Sequence, residues 1–300
     1  MQDRNPAYPW ENIGAQISTA TKIPFAVNRV SSIGGGCINQ AHLVEGNGQQ
    51  FFVKLNNTES LAMFEAEAAS LMEIQASGTL RVPFPLCWGR NDARSWLVLE
   101  YIKMVSGSDR GAAALGSGLA AMHRAVSQTF GWKRENTIGA TPQINTPSSD
   151  WLQFWRKHRL GYQLELARAN GYAGKLQALG ERLMMHLQAF FPGQQPAPAL
   201  LHGDLWSGNY SFDVSGQPVV FDPATYYGDR ETDIAMTELF GGFSTAFYAA
   251  YREAYPLDAG YSVRKTLYNL YHVLNHLNLF GGGYRGQAEQ MMSRLLAEIR

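Results

Sequence analysis

The segment from Leu200 to Ala224, LLHGDLWSGNYSFDVSGQPVVFDPA, constrains this chain more than any other. It contains His202-Gly203-Asp204, then Asn209 five residues after that aspartate and Asp222 thirteen residues after the asparagine. The apolar runs before the two aspartates predict short buried strands, and the polar residues between them predict a turn. A single hairpin is therefore expected to bring both aspartates and the asparagine together.

Two carboxylates and one amide in this arrangement suit magnesium-dependent phosphoryl transfer. Asp204 is the candidate base that accepts the proton of an attacking hydroxyl, and Asp222 with Asn209 could supply the oxygen ligands that magnesium prefers. The alternative is that these residues only cap and shape turns, because Asp and Asn are frequent in turns without any catalytic role. Evidence from elsewhere in the chain has to decide between the two.

The charge balance and the apolar runs exclude several classes of protein. Lysines plus arginines equal aspartates plus glutamates at 25 each, which predicts no nucleic-acid partner and no attraction to an anionic membrane. The chain has no apolar run of the roughly 18 residues that a membrane helix needs. Cys37 and Cys87 lack metal-type spacing, and the first residues lack the apolar segment of a secretory signal. We therefore expect a reduced, cytoplasmic protein.

Residues 25–55 alternate in the manner of three strands joined by two turns. The second turn contains Asn47-Gly48, a strong hairpin signal. The first contains Gly34, Gly35 and Gly36, which would allow backbone amides to approach phosphate oxygens. A plain flexible turn is the alternative interpretation of the three glycines.

Lys54 lies within the apolar strand FFVKL, and the following helix, residues 60–75, places Glu67 beside its apolar stripe. A glutamate that leans inward needs a cation, and Lys54 is the available candidate. Glu65 and Glu73 are expected to point further toward solvent than Glu67. The alternatives are a lysine that extends to solvent and an exposed Glu67.

The pattern changes after the predicted strand 95–102. Before it the chain is rich in strand signals, and beyond it the periodicity is helical, which predicts an α+β fold with a small antiparallel-β N-terminal lobe, residues 1–102, and a larger helical C-terminal lobe, residues 103–300. Helices are predicted over residues 112–126, 151–169, 176–190, 232–255 and 264–279, with a last short helix near the end of the chain.

Several polar side chains in the helical part have structural interpretations. Asp233 is expected to cap a helix N-terminus. His272 and His276 are four residues apart but lack a third ligand, so core or surface histidines are favoured over a zinc site. Trp151, Phe154 and Trp155 are expected to form an anchoring helix face, with a substrate role for Trp155 or Arg159 as the alternative.

Together these features resemble the protein-kinase-like fold, in the branch with aminoglycoside phosphotransferases and choline kinases, and more narrowly the fructosamine-3-kinase (ketosamine kinase) family. The similarity runs along nearly the whole chain. The segments that carry it are Gly34-Gly35-Gly36-Cys37-Ile38, Met63-Phe64-Glu65-Ala66-Glu67, HGDLWSGN at 202–209, FDPA at 221–224 and GDRETDIAMTELFGGF at 228–243.

The resemblance implies a bilobal fold, a catalytic role for Asp204, and ATP and Mg²⁺ as cofactors. It implies that Asn209 and Asp222 bind the metal and that Lys54, held by Glu67, contacts the α and β phosphates. The glycine turn with Cys37 is expected to cover the phosphates. The segment of Glu100, Tyr101 and Ile102 is expected to hold adenine through its backbone.

On the acceptor side, the resemblance implies that Trp206 lies beside the ketosamine, and His202 is assigned to the same substrate site. A packed core tryptophan is the alternative for Trp206. The family's loop cysteine implies that Cys37 is redox-sensitive, so a monomer and a homodimer linked through Cys37 both remain open; a bland turn residue is the alternative.

These expectations identify an ATP-dependent kinase that phosphorylates a sugar hydroxyl of ketosamines, either free or on protein lysines. One alternative is a kinase of another small hydroxylated metabolite, such as an aminoglycoside or an amino alcohol. Another is a nucleotide-binding pseudokinase module, which the intact Lys54, Asp204, Asn209 and Asp222 disfavour.

Overall fold

The computed structural model describes residues 8–34, 38–193 and 195–299, so Gly35, Gly36 and Cys37 of the predicted phosphate-covering turn lie outside the described residues. The predictions for these three residues therefore remain predictions. Gly34 is described and exposed, and a Cβ built on it would meet no atom within 4 Å.

The N-terminal part is a five-stranded antiparallel sheet in the order β1-β2-β3-β5-β4, flanked by two helices. Its elements are α1 Trp10–Thr21, β1 Arg29–Ile33, β2 Gln40–Gly46, β3 Gln49–Asn57, α2 Leu61–Ala76, β4 Pro85–Arg90 and β5 Arg94–Glu100. The predicted hairpin at Asn47-Gly48 is confirmed, and both residues have the positive φ that such a turn requires.

The strand period of two separates the faces of this sheet. Val53 and Val98 pack on α1 through Ile13 and Ile17, which form a small separate core. Leu97 and Leu99, on the other face, join the main core with Phe64 of α2. Lys54 is paired with Leu97 in the strand register, so it lies on the face that α2 covers.

Beyond Glu100 the chain becomes mainly helical. The elements are β6 Met104–Val105, α3 Asp109–Met122, β7 Asn136–Ile138, β8 Thr141–Gln143, α4 Trp151–Trp155, α5 Tyr162–Ala169, α6 Lys175–Met185, β9 Ala199–Leu201, β10 Tyr210–Asp213, β11 Pro218–Val220, β12 Tyr226–Gly228, α7 Glu231–Thr237, α8 Thr245–Ala254, α9 Tyr261–Phe280 and α10 Arg285–Glu298. Because β6 pairs with β10, this strand belongs with the helical part. The lobe boundary at residues 102 and 103 stays a prediction.

Two predicted elements are revised by the structure. The expected helix over residues 232–255 is broken into α7 and α8, because Gly241 and Gly242 adopt positive φ between them. The expected helix over residues 151–169 is continuous but contains one wide π turn, Arg156–Gly161, between α4 and α5. Both differences arise where the apolar periodicity continues through a local change of backbone conformation.

Among residues 8–34, 38–193 and 195–299, no helix has the length and apolar character that crossing a membrane requires.

Candidate active site

The predicted single hairpin is two nested antiparallel pairs. The inner pair joins β10 to β11, and the outer pair joins β9 to β12, with Leu201 opposite Tyr226. Asp204 and Asn209 lie in the segment from β9 to β10, and Asp222 lies in the segment from β11 to β12. The two segments meet because each connects the outer pair to the inner pair on the same side.

Two backbone hydrogen bonds hold the two segments together, and the Asn209 side chain bonds within the first segment. The Ala224 amide donates to the His202 carbonyl at 2.9 Å, and the Phe221 amide donates to the Asn209 carbonyl at 3.0 Å. The Asn209 side-chain amide donates to the Asp204 carbonyl at 2.8 Å and to its carboxylate at 3.2 Å. Asn209 therefore orients Asp204 with its amide nitrogen and keeps its amide oxygen as a potential metal ligand.

Gly203 lies directly against the second segment. Its φ is +84°, and a Cβ built on it would lie 2.1 Å from the Ala224 carbonyl oxygen. A side chain is excluded by both the backbone conformation and this contact.

We expect Gly203→Ala to lower the free energy of unfolding by at least ~2 kcal/mol and to reduce activity strongly, because the loop that carries Asp204 has to move. Gly216→Ala is the matched control, since Gly216 also has a positive φ, +80°, but its built Cβ meets nothing within 4 Å. That control should show only backbone strain, about 1 kcal/mol, with normal turnover. Urea unfolding and initial rates measure both effects, and equal behaviour of the two variants would contradict the close-contact argument.

Lys54 connects the two halves of the site. Its ammonium lies 2.6 Å from Glu67 and 2.5 Å from Asp222, and its side chain is almost fully buried. Burial by itself would lower the pKa of Lys54, but the charges of Asp222 and Glu67 outweigh it and raise that pKa, so the lysine stays protonated. The predicted Lys54 and Glu67 pair is confirmed.

Asp204 has a strongly perturbed carboxyl group. Burial and the negative charge of Asp222 raise its pKa to about 7, although the hydrogen bond from Asn209 acts in the opposite direction. A carboxylate with this pKa is a stronger proton acceptor near neutrality than an ordinary aspartate.

The raised pKa of Asp204 predicts a pH-dependent cost of folding. The unfolded carboxyl ionises near 3.8 and the folded one near 7, so the cost is absent below about pH 4, grows as the pH rises and is complete above about pH 7. Asp204→Asn should therefore be more stable than wild type at pH 8, on the order of 1–4 kcal/mol, with the difference vanishing near pH 4. Urea unfolding across this range tests it, with exposed Asp92→Asn as control; a constant difference would contradict the pKa.

His202 lies inside the loop that carries Asp204. Its side chain is completely buried, with Nε2 3.0 Å from the Phe221 carbonyl and Nδ1 3.3 Å from the Asp204 amide. Burial lowers the pKa of His202, and the two bonds fit a neutral ring that donates from Nε2. The ring is enclosed and already bonded inside the loop, and substrate binding by His202 stays a prediction.

Asp233 is not a helix cap, contrary to the sequence prediction. Its carboxylate accepts from the backbone amides of His202 at 2.7 Å and Gly203 at 2.8 Å, and from His123 at 3.1 Å. Burial would raise the pKa of Asp233, but these partners outweigh it and lower it. Asp229 instead binds the first turn of α7, through the Glu231 amide. Asp233 thus holds the backbone of the catalytic loop, and its sequence neighbours gave no signal for this role.

Trp206 projects from the same loop, with its side chain 38% exposed and its ring 6.5 Å from that of Phe240 in an edge contact. Its ring folds over Gly208, where a Cβ would lie 2.3 Å from the indole. The alternative of a packed core tryptophan is therefore wrong. An exposed aromatic face two residues from Asp204 is available to an acceptor.

The adenine-binding prediction concerns residues 100–102, at the end of β5. The Glu100 carboxylate pairs with Arg81 at 2.8 Å and accepts from the Phe84 amide, while Arg81 also pairs with Asp213 of β10. Tyr101 and Ile102 lie outside the strands, so their backbone groups are not part of the sheet ladder. Recognition of adenine there stays a prediction.

The oxygen atoms of Asp222 and Asn209 are the candidate ligands for the predicted magnesium. Asp222 and Asn209 provide a carboxylate and an amide, both oxygen donors, and the Asp222 side chain is 46% exposed. Within the described ranges no cluster of three or more His, Cys, Asp or Glu residues could hold a metal. Two protein ligands fit Mg²⁺ that keeps waters and phosphate oxygens in its shell, as in nucleotide sites. His272 is buried in the core.

Residues 9–298 match the model of the fructosamine kinase family. The chain belongs to this family. It is 48% identical, over 99% of both chains, to a protein from Synechocystis named as a probable ketoamine kinase. It is 43% identical, over 91% of this chain and 84% of the other, to the chloroplastic protein-ribulosamine 3-kinase of Arabidopsis thaliana.

Solved structures agree with this family assignment. A crystal structure from Haemophilus somnus assigned as a fructosamine-3-kinase has a TM-score of 0.88 and 27% identity, covering 96% of this chain and 97% of the other. An aminoglycoside phosphotransferase in complex with ADP and hygromycin B has a TM-score of 0.62 and 16% identity, covering 96% of this chain and 98% of the other, which shows a shared fold. The predicted family, bilobal kinase-like fold and class of ATP-dependent phosphotransferase are confirmed.

Proposed function

We propose that this protein transfers the γ-phosphoryl group of ATP to a sugar hydroxyl of a ketosamine, with Asp204 as the base. The observation that carries the proposal is the convergence of Lys54, Asp204, Asn209 and Asp222 at one site in a fructosamine kinase family member. Asp204 accepts the hydroxyl proton as the oxygen attacks phosphorus, and the bond from phosphorus to the ADP oxygen breaks.

Lys54 and the metal ligands act on the nucleotide. Asp222 and Asn209 would hold Mg²⁺, which neutralises charge on the transferring phosphates when bound. Lys54 exchanges its contact with Asp222 for the phosphates while Glu67 keeps the ammonium in place. Positioning and electrostatics of this kind supply most of the rate enhancement in phosphoryl transfer.

Trp206 is the proposed contact for the acceptor sugar. Its partly exposed ring lies two residues from Asp204, so a sugar stacked on it would place a hydroxyl near the carboxylate. The acceptors are ketosamines such as ribulosamines and fructosamines, free or on protein lysines.

Incubation of the purified protein with ATP, Mg²⁺ and a panel of acceptors tests the proposal. Ribulosamine, erythrulosamine and fructosamine adducts of lysine should gain one phosphoryl group, detected by mass spectrometry, whereas an aminoglycoside and choline serve as competing acceptors. Preferred phosphorylation of either competitor would replace the ketosamine assignment. ATP binding without transfer to any acceptor would instead support a pseudokinase module.

A further inference from the structure

Helix α2 carries a second carboxylate that the reaction above does not use. Glu73 lies six residues after Glu67, so it points from another side of the helix. Its side chain is 21% exposed against 10% for Glu67, so it lies further toward solvent than Glu67, as the sequence predicts, yet both of its oxygens have partners.

The partners of Glu73 lie in the C-terminal part of the chain. The Tyr227 hydroxyl donates to one carboxylate oxygen at 2.9 Å, and the Lys133 ammonium lies 2.5 Å from the other. Hydrogen bonding by Lys133 and Tyr227 lowers the pKa of Glu73 against the opposing effect of burial, so the carboxylate is ionised at neutral pH. Lys133 is 61% exposed, which limits the strength of its ion pair.

Tyr227 leads directly to the catalytic loop. It belongs to β12 and pairs with Leu200 of β9, two residues before His202. Its backbone also exchanges hydrogen bonds with Gly131, at 2.8 and 2.9 Å, which ties the segment that carries Lys133 to the same strand. Glu73 therefore connects α2, whose Glu67 binds Lys54, to the strand pair β9 and β12, which leads into the loop of Asp204.

This connection does not depend on the site being empty of nucleotide. The contact of Lys54 with Asp222 also joins the two halves, but phosphates and Mg²⁺ compete for both of its partners. Arg81 joins them near Glu100 at the end of β5. Neither Tyr227 nor Glu73 is among the proposed nucleotide or metal ligands, so exchange of the contact between Lys54 and Asp222 need not break the hydrogen bond of Tyr227 to Glu73.

We propose that Glu73 is a positioning residue of the kinase reaction, which through Tyr227 sets the distance between Lys54 on the α2 side and Asp204 on the catalytic loop. It touches neither nucleotide nor acceptor. The inference rests on the proposed function, because it assumes that Lys54 and Asp204 act on one phosphoryl transfer.

The test is a double-mutant cycle of Glu73→Ala and Tyr227→Phe in the full chain. Each change should lower kcat about 3- to 10-fold and weaken Mg·ATP binding several-fold, with the KM for the ketosamine unchanged. The double variant should be no worse than the poorer single variant, because both remove one connection. Glu73→Gln keeps an acceptor for the tyrosine and should restore kcat to within about twofold of wild type.

Glu65→Ala is the control, since Glu65 lies on the same helix and pairs with Arg134 through an exposed contact at 3.5 Å. It should leave kcat within about twofold of wild type. Additive losses in the cycle, or a lower urea midpoint with normal kcat and Mg·ATP affinity, would overturn the proposal. Calorimetric Mg·ATP binding needs no acceptor, so weaker binding by the variants would support Glu73 even if wild type phosphorylated no ketosamine.

Discussion

Asp204→Asn should lower kcat by about 10²- to 10⁴-fold, the range expected when a general base is removed. Asparagine keeps the size of the side chain and can still accept the hydrogen bond from Asn209, which donates to the Asp204 carboxylate at 3.2 Å. What is lost is the ability to accept the proton of the sugar hydroxyl at the moment of attack. Mg·ATP affinity should therefore change little, and the loss should appear in kcat.

Steady-state kinetics with a ketosamine, together with calorimetric Mg·ATP titration, separate these quantities. Asp92→Asn, the same chemical change in an exposed bend between β4 and β5, should behave as wild type. Retention of more than about a tenth of wild-type kcat by Asp204→Asn would remove Asp204 from the role of base.

Asp222→Asn should reduce activity by a similar factor, but through weaker binding of Mg²⁺. The Asp222 carboxylate is the only acidic metal ligand that we propose, and its neutral replacement is a weaker partner for a hard divalent cation. Lys54 also loses one of its two carboxylates, although Glu67 remains 2.6 Å away and keeps the ammonium in place. We expect the affinity for Mg²⁺ in the presence of nucleotide to fall at least tenfold. At ordinary Mg²⁺ concentrations kcat should be at least 10²-fold lower.

The two variants should be distinguishable by magnesium titration. Raising Mg²⁺ should recover part of the activity of Asp222→Asn and none of that of Asp204→Asn. Asp109→Asn, in the exposed first turn of α3, is the matched control and should retain the wild-type Mg²⁺ dependence. Unchanged Mg²⁺ dependence of Asp222→Asn would mean that the metal is held elsewhere.

The contact of Lys54 with Asp222 has a consequence for ligand binding. The Asp222 carboxylate, which is partly exposed, neutralises the charge of the buried Lys54 ammonium together with Glu67, which avoids an isolated buried charge. In the proposed mechanism Mg·ATP would replace both sides of the pair at once, because the phosphates would attract the lysine and the metal would attract the aspartate. We therefore expect Mg²⁺ and ATP to bind more tightly together than either binds alone.

The sequence was most informative where a charged residue lies within an apolar segment. Lys54 inside FFVKL and Glu67 beside an apolar stripe predicted each other, because a buried charge without a counter-charge is unfavourable. The structure confirms that pair at 2.6 Å. The motif spacing of Asp204, Asn209 and Asp222 likewise pointed to one site, since short strands and turns can bring residues close only within a few geometries.

Local sequence patterns did not predict the contacts of residues whose partners are distant in the sequence. An acid near a helix start is favourable in any protein, so the sequence predicts a cap at Asp233, but its carboxylate accepts from backbone amides 30 and 31 residues earlier. The motif does not reveal that the folded loop encloses the His202 ring. The helical period does not reveal that Tyr227 and Lys133 pack on Glu73.

The sequence by itself therefore determined the element types, the family and the chemical groups of the site, because these depend on local residue pattern and on motif spacing. Only the tertiary structure decided which buried acids hold the catalytic loop, that two nested strand pairs replace one hairpin, and that Glu73 joins α2 to β12. The physical reason is that hydrogen bonds of buried carboxylates are satisfied by whatever donors folding brings near, and those donors, such as Tyr227 and the His202 amide, carry no sequence signature of their partner.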